Sequence, residues 1–402
     1  MRRLRLAICG LVVAFGAAAQ AQAADRSVTI GVLNDQSGLY ADMGGVGSVV
    51  AARLAVEDSG LPAKGWKIEV ISADHQNKTD VAATIARRWY DIDGVDMITD
   101  VTNSSVALAV SQLTKDKNKV MLASGPATSD LTGKACTPNT IHWTHDTWAL
   151  ANSTAKAALK VGGDTWYFIT ADYAFGHALE RDTEAVVTAN GGKVVGRVRH
   201  PINNTDFSSF LVQAQSSKAK IVAFANSGAD TSNSINQAAE FGLVAGGQKL
   251  AGLLVYLTDV HSLGLELAQG LVLASPFYWD ADEGTRAFSK RFEEVHGKKP
   301  TMVQAGVYSA TLHYLKAVAE AGNAEDGADI VKRMKAMPTD DPLFGKGSIR
   351  EDGRKIHPIH LYEVKTPAES KQPWDYYKHR ATVAAEEAFR PLKDGECPMV
   401  TH

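Results

Sequence analysis

The sequence predicts an α/β protein built from two doubly wound parallel-sheet domains. Short apolar runs bounded by turn residues alternate with longer segments that carry apolar residues at helical spacing, which is the pattern of strand–helix units in a parallel sheet. The alternation comes in two separate sets along the chain. The length of 402 residues also predicts two or three domains, each large enough for its own core.

The first set opens with the apolar run 28–33, then a Gly-rich stretch and an Ala-rich helix over 48–58. Strand–helix pairs follow at 67–72 with 79–92 and at 96–99 with 104–115, and a strand at 120–123 closes the set. The second set pairs 166–170 with 175–190, 193–199 with 207–216 and 221–225 with 230–241, and ends in a strand at 250–256. From Asp282 the pattern turns helical, with apolar residues three and four apart over 283–296, 303–321 and 330–337; these helices are expected to cover the first sheet. After Pro338 come Gly345 and Gly347, a strand-like run at 356–364 and an extended Pro- and charge-rich tail. No repeat of 20–50 residues is visible, which argues against a solenoid.

Composition narrows the function. With 45% hydrophobic and 22% charged residues and a formal net charge of −3, disorder, collagen and small disulfide scaffolds are excluded, and no basic footprint for nucleic acid exists. Arg2, Arg3 and Arg5 precede an apolar run over 6–19 and the small-residue pattern Ala21-Gln22-Ala23, so residues 1–23 read as a secretory signal peptide. The run is too short to span a bilayer, and no direct membrane insertion is expected. Cleavage would take the net charge from −3 to −6 and leave Cys136 and Cys397, either as one disulfide closing a long loop or as two buried thiols.

Common chemistries fail on spacing. Gly45 and Gly47 begin a dinucleotide fingerprint that stops at Val50, and Gly133-Lys134 is followed by Ala135 where a phosphate loop needs a hydroxyl. No Gly-x-Ser-x-Gly elbow occurs. His142, His145 and Asp146 are the closest approach to a metal set, but they read better as a strand end and a capped helix start. His357 and His360 should face opposite sides of a strand. The acidic pairs Asp340-Asp341 and Glu386-Glu387 read as solvated charge, not as a general acid and base. No metal, cofactor or catalytic residue is expected.

Other segments carry a resemblance. The run from Ile30 to Tyr40 (IGVLNDQSGLY), the Asn103-Ser104-Ser105 turn and Ala123-Ser124-Gly125-Pro126-Ala127-Thr128 resemble the type I periplasmic binding proteins, in particular the branched-chain-amino-acid-binding branch that serves ABC importers. Asp172-Tyr173-Ala174-Phe175-Gly176, the run 237–242, the run 344–354 and Pro373-Trp374-Asp375-Tyr376-Tyr377 extend the resemblance over nearly the whole mature chain. It implies two Rossmann-like lobes joined by a three-crossover hinge, with residues 27–143 plus 277–342 forming lobe one. Residues 144–276 plus 343–402 would form lobe two, its tail returning near the hinge, where Cys397 would meet Cys136. It further implies a periplasmic, monomeric receptor that closes on a small-molecule ligand and hands it to a membrane permease.

The site residues carried over by the resemblance lie on loops at strand ends. Asn103, Ser104, Pro126 and Thr128 would hold an acidic group of the ligand at helix N-termini. Tyr40 and Met43 would form an apolar wall. Tyr173, Phe175, Asn226, Ser227 and Asp230 would face the ligand from lobe two, with Tyr256 and Tyr278 as further candidates. Where the amino-acid binders carry an acidic group for the ligand ammonium, this chain has Tyr256-Leu257-Thr258 before Asp259. That departure counts against an α-amino acid and brings in a carboxylate on an aromatic or other apolar body, so the expected ligand is a small organic carboxylate, either an aromatic acid or amino-acid-like. A periplasmic sensor working with a separate receptor, and an exported α/β enzyme, are the competing readings.

Overall fold

The computed structural model describes residues 26–160 and 162–401; the predicted signal peptide and its charge lie outside them. The first sheet has five parallel strands, Ser27–Asn34 (β1), Lys67–Asp74 (β2), Met97–Asp100 (β3), Val120–Ala123 (β4) and Thr140–His142 (β5), in the order β2-β1-β3-β4-β5. Helices Gly45–Asp58 (α1), Thr79–Asp91 (α2) and Ser104–Asp116 (α3) make the crossovers. β3 and β4 are buried along their whole length, as strands covered on both faces must be, whereas edge strand β2 alternates exposed and half-buried residues. Trp89 on α2 packs against Gly31 of β1, where a Cβ would come within 2.5 Å of the indole.

The second sheet has four parallel strands, with helices Thr147–Lys160 (α4), Ala174–Ala189 (α5), Ser208–Ser216 (α6) and Ala229–Glu240 (α7) around them. The strands are Thr165–Ala171 (β6), Lys193–His200 (β7), Ile221–Ala225 (β8) and Lys249–Gly252 (β9), in the order β7-β6-β8-β9. Two short helices, Leu257–Leu263 (α8) and Leu265–Ala268 (α9), lead to strand Val272–Ser275 (β10). Helices Glu283–His296 (α10), Met302–Ala321 (α11) and Gly327–Ala336 (α12) then return to the first lobe: α11 lies along α1 and over β3 and β4. Strands Thr339–Asp341 (β11), Gly345–Ile349 (β12) and Lys355–Ile356 (β13) form a small antiparallel sheet, and Ile359–Val364 (β14) joins β10 to Tyr377–Val383 (β15). Helix Ala385–Ala388 (α13) precedes the C-terminus.

Two expectations need correction. The strand expected over 250–256 stops at Gly252, because its partner β8 ends at Ala225 and offers no further ladder; Leu253 to Tyr256 bend away toward the first lobe. The strand expected over 356–364 breaks at Pro358, which has no N–H to donate, so β13 pairs with β12 and β14 with β10 and β15. Cys136 and Cys397 form a disulfide with Cα atoms 5.6 Å apart, tying the C-terminal tail to the first lobe across a sequence separation of 261.

Candidate ligand-binding site

The C-terminal ends of β1, β3 and β4 face those of β6, β8 and β9 across a cleft, the place where open parallel sheets bind ligands. The lobes are in contact there: the Tyr40 and Tyr173 hydroxyls are hydrogen-bonded to each other across the gap. A narrow pocket lies between them.

The first lobe builds its half from three loops. After β1, Asp35 accepts hydrogen bonds from the Gly38 N–H and the Tyr40 N–H, both at 2.8 Å, and so curls the loop until Tyr40 and Met43 reach the pocket. After β3, Asp100 and Val101 adopt φ of 73° and 55°. Positive φ is strained for a β-branched valine, and such strain gathers at functional sites. The kink presents Thr102 and Ser104 to the pocket, with Ser104 opening α3. After β4, Gly125 and Ala127 face the same space. The Ser104 Oγ accepts from the backbone N–H groups of Ala127 (3.3 Å) and Thr128 (3.2 Å), leaving its own proton for a further acceptor.

The second lobe supplies Tyr173 and Phe175 from the start of α5, Ser227 from the end of β8, and Leu254 and Tyr256 from the segment that leaves β9. Buried Ser227 Oγ has no hydrogen-bond partner, and the Tyr256 hydroxyl lies 3.4 Å from His145 Nε2. Burial, with the Arg354 guanidinium adding to it, pushes the His145 imidazole down to about 3, so it is neutral. Burial also raises the Tyr40 and Tyr256 phenols, which remain protonated donors.

Among the residues expected at the site, Tyr40, Met43, Ser104, Tyr173, Phe175, Ser227 and Tyr256 are brought together around this pocket. Others point elsewhere. Asn103 caps α3, its Oδ1 accepting from Ser105 N–H and Val106 N–H. The Pro126 carbonyl accepts from His142 Nε2, and the Thr128 hydroxyl accepts from the Asp130 N–H. Asn226 is spent inside its own lobe on Thr231 and Ser234. Asp230 accepts from the Asn203 and Asn204 N–H groups. Tyr278 borders a neighbouring cavity and gives its hydroxyl proton to the Trp374 carbonyl. Sequence reasoning missed Thr102, Gly125, Ala127 and Leu254. Alternation along an extended loop is the signal that finds them: Gly125 and Ala127 face one way, Pro126 and Thr128 the other.

Two carboxyls behind the walls titrate unusually. Burial raises Asp100 to about 6, with Ser48 and Asn34 offsetting part of the rise, and raises Asp230 to about 7 against the Asn204 and Asn203 amides. A carboxyl with a raised folded-state pKa contributes stability that is present below its unfolded value and is lost as pH rises through the folded one. The buried imidazoles act in the opposite sense, so the contribution of Asp100 is isolated by difference. Relative to wild type, Asp100→Asn is expected to gain stability as pH climbs from about 4 through about 6. Paired thermal melts across this range check it, and a difference that does not change with pH refutes it.

A sequence profile described as periplasmic binding protein matches residues 27–372. A periplasmic binding protein from Burkholderia mallei is 49% identical, covering 94% of this chain and 100% of its own, with a TM-score of 0.91. A branched chain amino acid ABC transporter periplasmic ligand-binding protein from Burkholderia xenovorans LB400 is 42% identical over 92% of this chain and 99% of its own, with a TM-score of 0.82. The Leu/Ile/Val-binding protein homolog 6 of Brucella abortus (strain 2308) is 27% identical over 373 residues, 90% of this chain and 93% of that protein.

Proposed function

The chain belongs to the periplasmic binding protein family, and from that premise we propose that it captures a small aromatic or otherwise apolar carboxylate between its lobes and delivers it to an ABC permease. It is a solute-binding protein of the ABC-transporter kind, not an enzyme. Among the described residues no helix is long and apolar enough to cross a membrane.

The observation that supports the choice of ligand is the make-up of the wall. None of the residues lining the pocket is charged. A carboxylate would be met by the Ser104 proton and the unpartnered Ser227 hydroxyl, with two helix N-termini behind them. An α-ammonium would find no lining carboxylate, since Asp230 sits behind the wall and is already held by two amides. Met43, Phe175, Leu254 and three tyrosine rings supply the apolar contact for the ligand body.

A thermal-shift panel tests the reading. Benzoate or cinnamate at one hundred times its Kd should stabilise the protein by about 2.7 kcal/mol, whereas leucine and simple carboxamides should leave the melt unchanged. Stabilisation by leucine or by amides, with none from the aryl acids, overturns it.

A further inference from the structure

We infer that a cavity outside the cleft, between the β10–α10 link and the β11–β12 turn, is a second binding site and that it takes an organic ammonium ion.

The cavity has a volume of about 440 Å³, within the range of roughly 300–1,000 Å³ typical of small-molecule sites. Its walls come from three parts of the fold. The chain leaving β10 contributes Phe277, Tyr278 and Asp282, the turn after β11 contributes Asp341 to Gly345, and β14 closes the space with His360 and Tyr362. No residue is shared with the lining of the interlobe pocket, so the two spaces are separate.

The chemistry of the lining selects the charge of the occupant. Four aromatic rings line the cavity, with the centroids of Tyr278 and Tyr362 5.6 Å apart and those of Phe277 and Phe344 6.3 Å apart. Two carboxylates join them, and no lysine or arginine does. Burial and the nearby His379 lower the His360 imidazole against the pull of Asp282, so it is not a cation at neutral pH. Electron-rich ring faces beside carboxylates, without a base, attract a positive charge.

The two acids are not equivalent. Asp341 is spent: Oδ1 accepts from the Leu343 and Phe344 N–H groups, and Oδ2 accepts from the Ser309 hydroxyl at 2.8 Å and lies 3.7 Å from the Lys355 ammonium. Asp282 caps α10 with Oδ1 alone, accepting from the Thr285 N–H at 2.8 Å, and it makes no ion pair among the described residues. Tyr362 supplies the second unmet group. Its side chain is 4% exposed, yet its hydroxyl hydrogen-bonds to no described residue, and Asp282 adds to the rise that burial gives the phenol. An ammonium between Asp282 Oδ2 and the Tyr362 oxygen would donate to both, its hydrocarbon resting on the rings. An anion would meet uncompensated negative charge, and the N-terminus of α10 that could offset it is closed by its own capping box.

Calorimetric titration at neutral pH with 2-phenylethylamine, which is protonated, and with 2-phenylethanol, its neutral counterpart, tests this. The amine is expected to bind with a Kd at least about tenfold lower than that of the alcohol. Asp282→Asn keeps the helix cap while removing the charge, and should bring the two Kd values within about threefold of each other. If that variant does not fold, Tyr362→Phe, which keeps the ring, replaces it and should weaken amine binding at least about threefold. No binding of the amine, binding no tighter than that of the alcohol, or amine binding unchanged in the variant overturns the site. The carboxylate reading of the cleft is untouched by any of these outcomes, since it stands or falls on the aryl acids.

Discussion

Replacing Arg354 with methionine is expected to lower the unfolding free energy by about 3–5 kcal/mol, the range for breaking a buried charged network by removing one partner. The guanidinium is fully buried where the chain passes between the lobes. Nη2 donates to the Trp143 carbonyl at 2.7 Å, Nη1 to the His145 carbonyl at 3.3 Å, and Nε to the Lys355 carbonyl at 2.9 Å. Asp146 lies 3.6 Å away, and the Phe389 ring covers the cation at 4.4 Å. One side chain thus clamps the first crossover, Trp143 to Asp146, to the segment that returns through the hinge. Burial lowers its pKa only to about 10, with Asp146 pulling the other way, so it stays charged at neutral pH. Methionine keeps the stem but strands the His145 and Lys355 carbonyls, leaves the Trp143 carbonyl only the 3.3 Å contact from His357 Nε2, and deprives Asp146 of its cation. Arg354→Lys should rescue little, because an ammonium on a flexible stem cannot reproduce the planar fork that reaches three carbonyls. Urea unfolding of the two variants measures the effect, and a loss below about 1 kcal/mol for the methionine variant would show that the clamp is dispensable.

The same hinge shows where sequence reading stops. Strands such as β1 and β8 and helices such as α10 declare themselves because their periodicity is carried by many apolar residues. β5 has three residues, too few for a period to show, so only its end at His142 is marked, and β10 opens on an exposed valine. Helix α4 is legible only at its start, where Asp146 Oδ1 accepts from the Ala149 N–H as a cap; beyond it Thr147, Asn152, Ser153 and Thr154 are buried, so the apolar stripe that marks a helix is interrupted by polar side chains facing inward. The site divides in a similar way. That the ligand lies at strand ends is readable from the loops, but which side chain of a loop faces the cleft depends on one residue of register. The kink at Asp100 and Val101 and the alternation at Gly125 to Thr128 set that register, and neither is a property of composition. Tyr278 illustrates the remaining gap, since its hydroxyl is claimed by Trp374, a residue 96 positions away in sequence that only the tertiary fold brings near.

Gly228→Ala is expected to weaken ligand binding about a hundredfold, equivalent to about 2.7 kcal/mol, while leaving both lobes folded. Gly228 sits between Ser227 and α7 with φ 63° and ψ −139°, a conformation that a residue with a Cβ resists. That strain costs about 1–3 kcal/mol whether the lobes are open or closed, and it should appear as a lower melting temperature without ligand. The second effect belongs to closure alone. A Cβ at this position would lie 2.8 Å from the Leu39 carbonyl oxygen and 3.3 Å from the Tyr40 ring, both on the opposite lobe. The Leu39 oxygen is backbone, on a loop that Asp35 pins through the Gly38 and Tyr40 N–H groups, so it cannot give way as a flexible side chain would. The lobes must instead stand apart, which breaks the Tyr40–Tyr173 hydrogen bond and withdraws Ser227 from the carboxylate that Ser104 would hold from the other side. Two measurements separate the effects: the melting temperature without ligand reports the strain, and calorimetric Kd for the tightest-binding acid reports closure. A variant that melts lower yet keeps its Kd within threefold of wild type would mean that the ligand does not depend on the lobes meeting at Gly228.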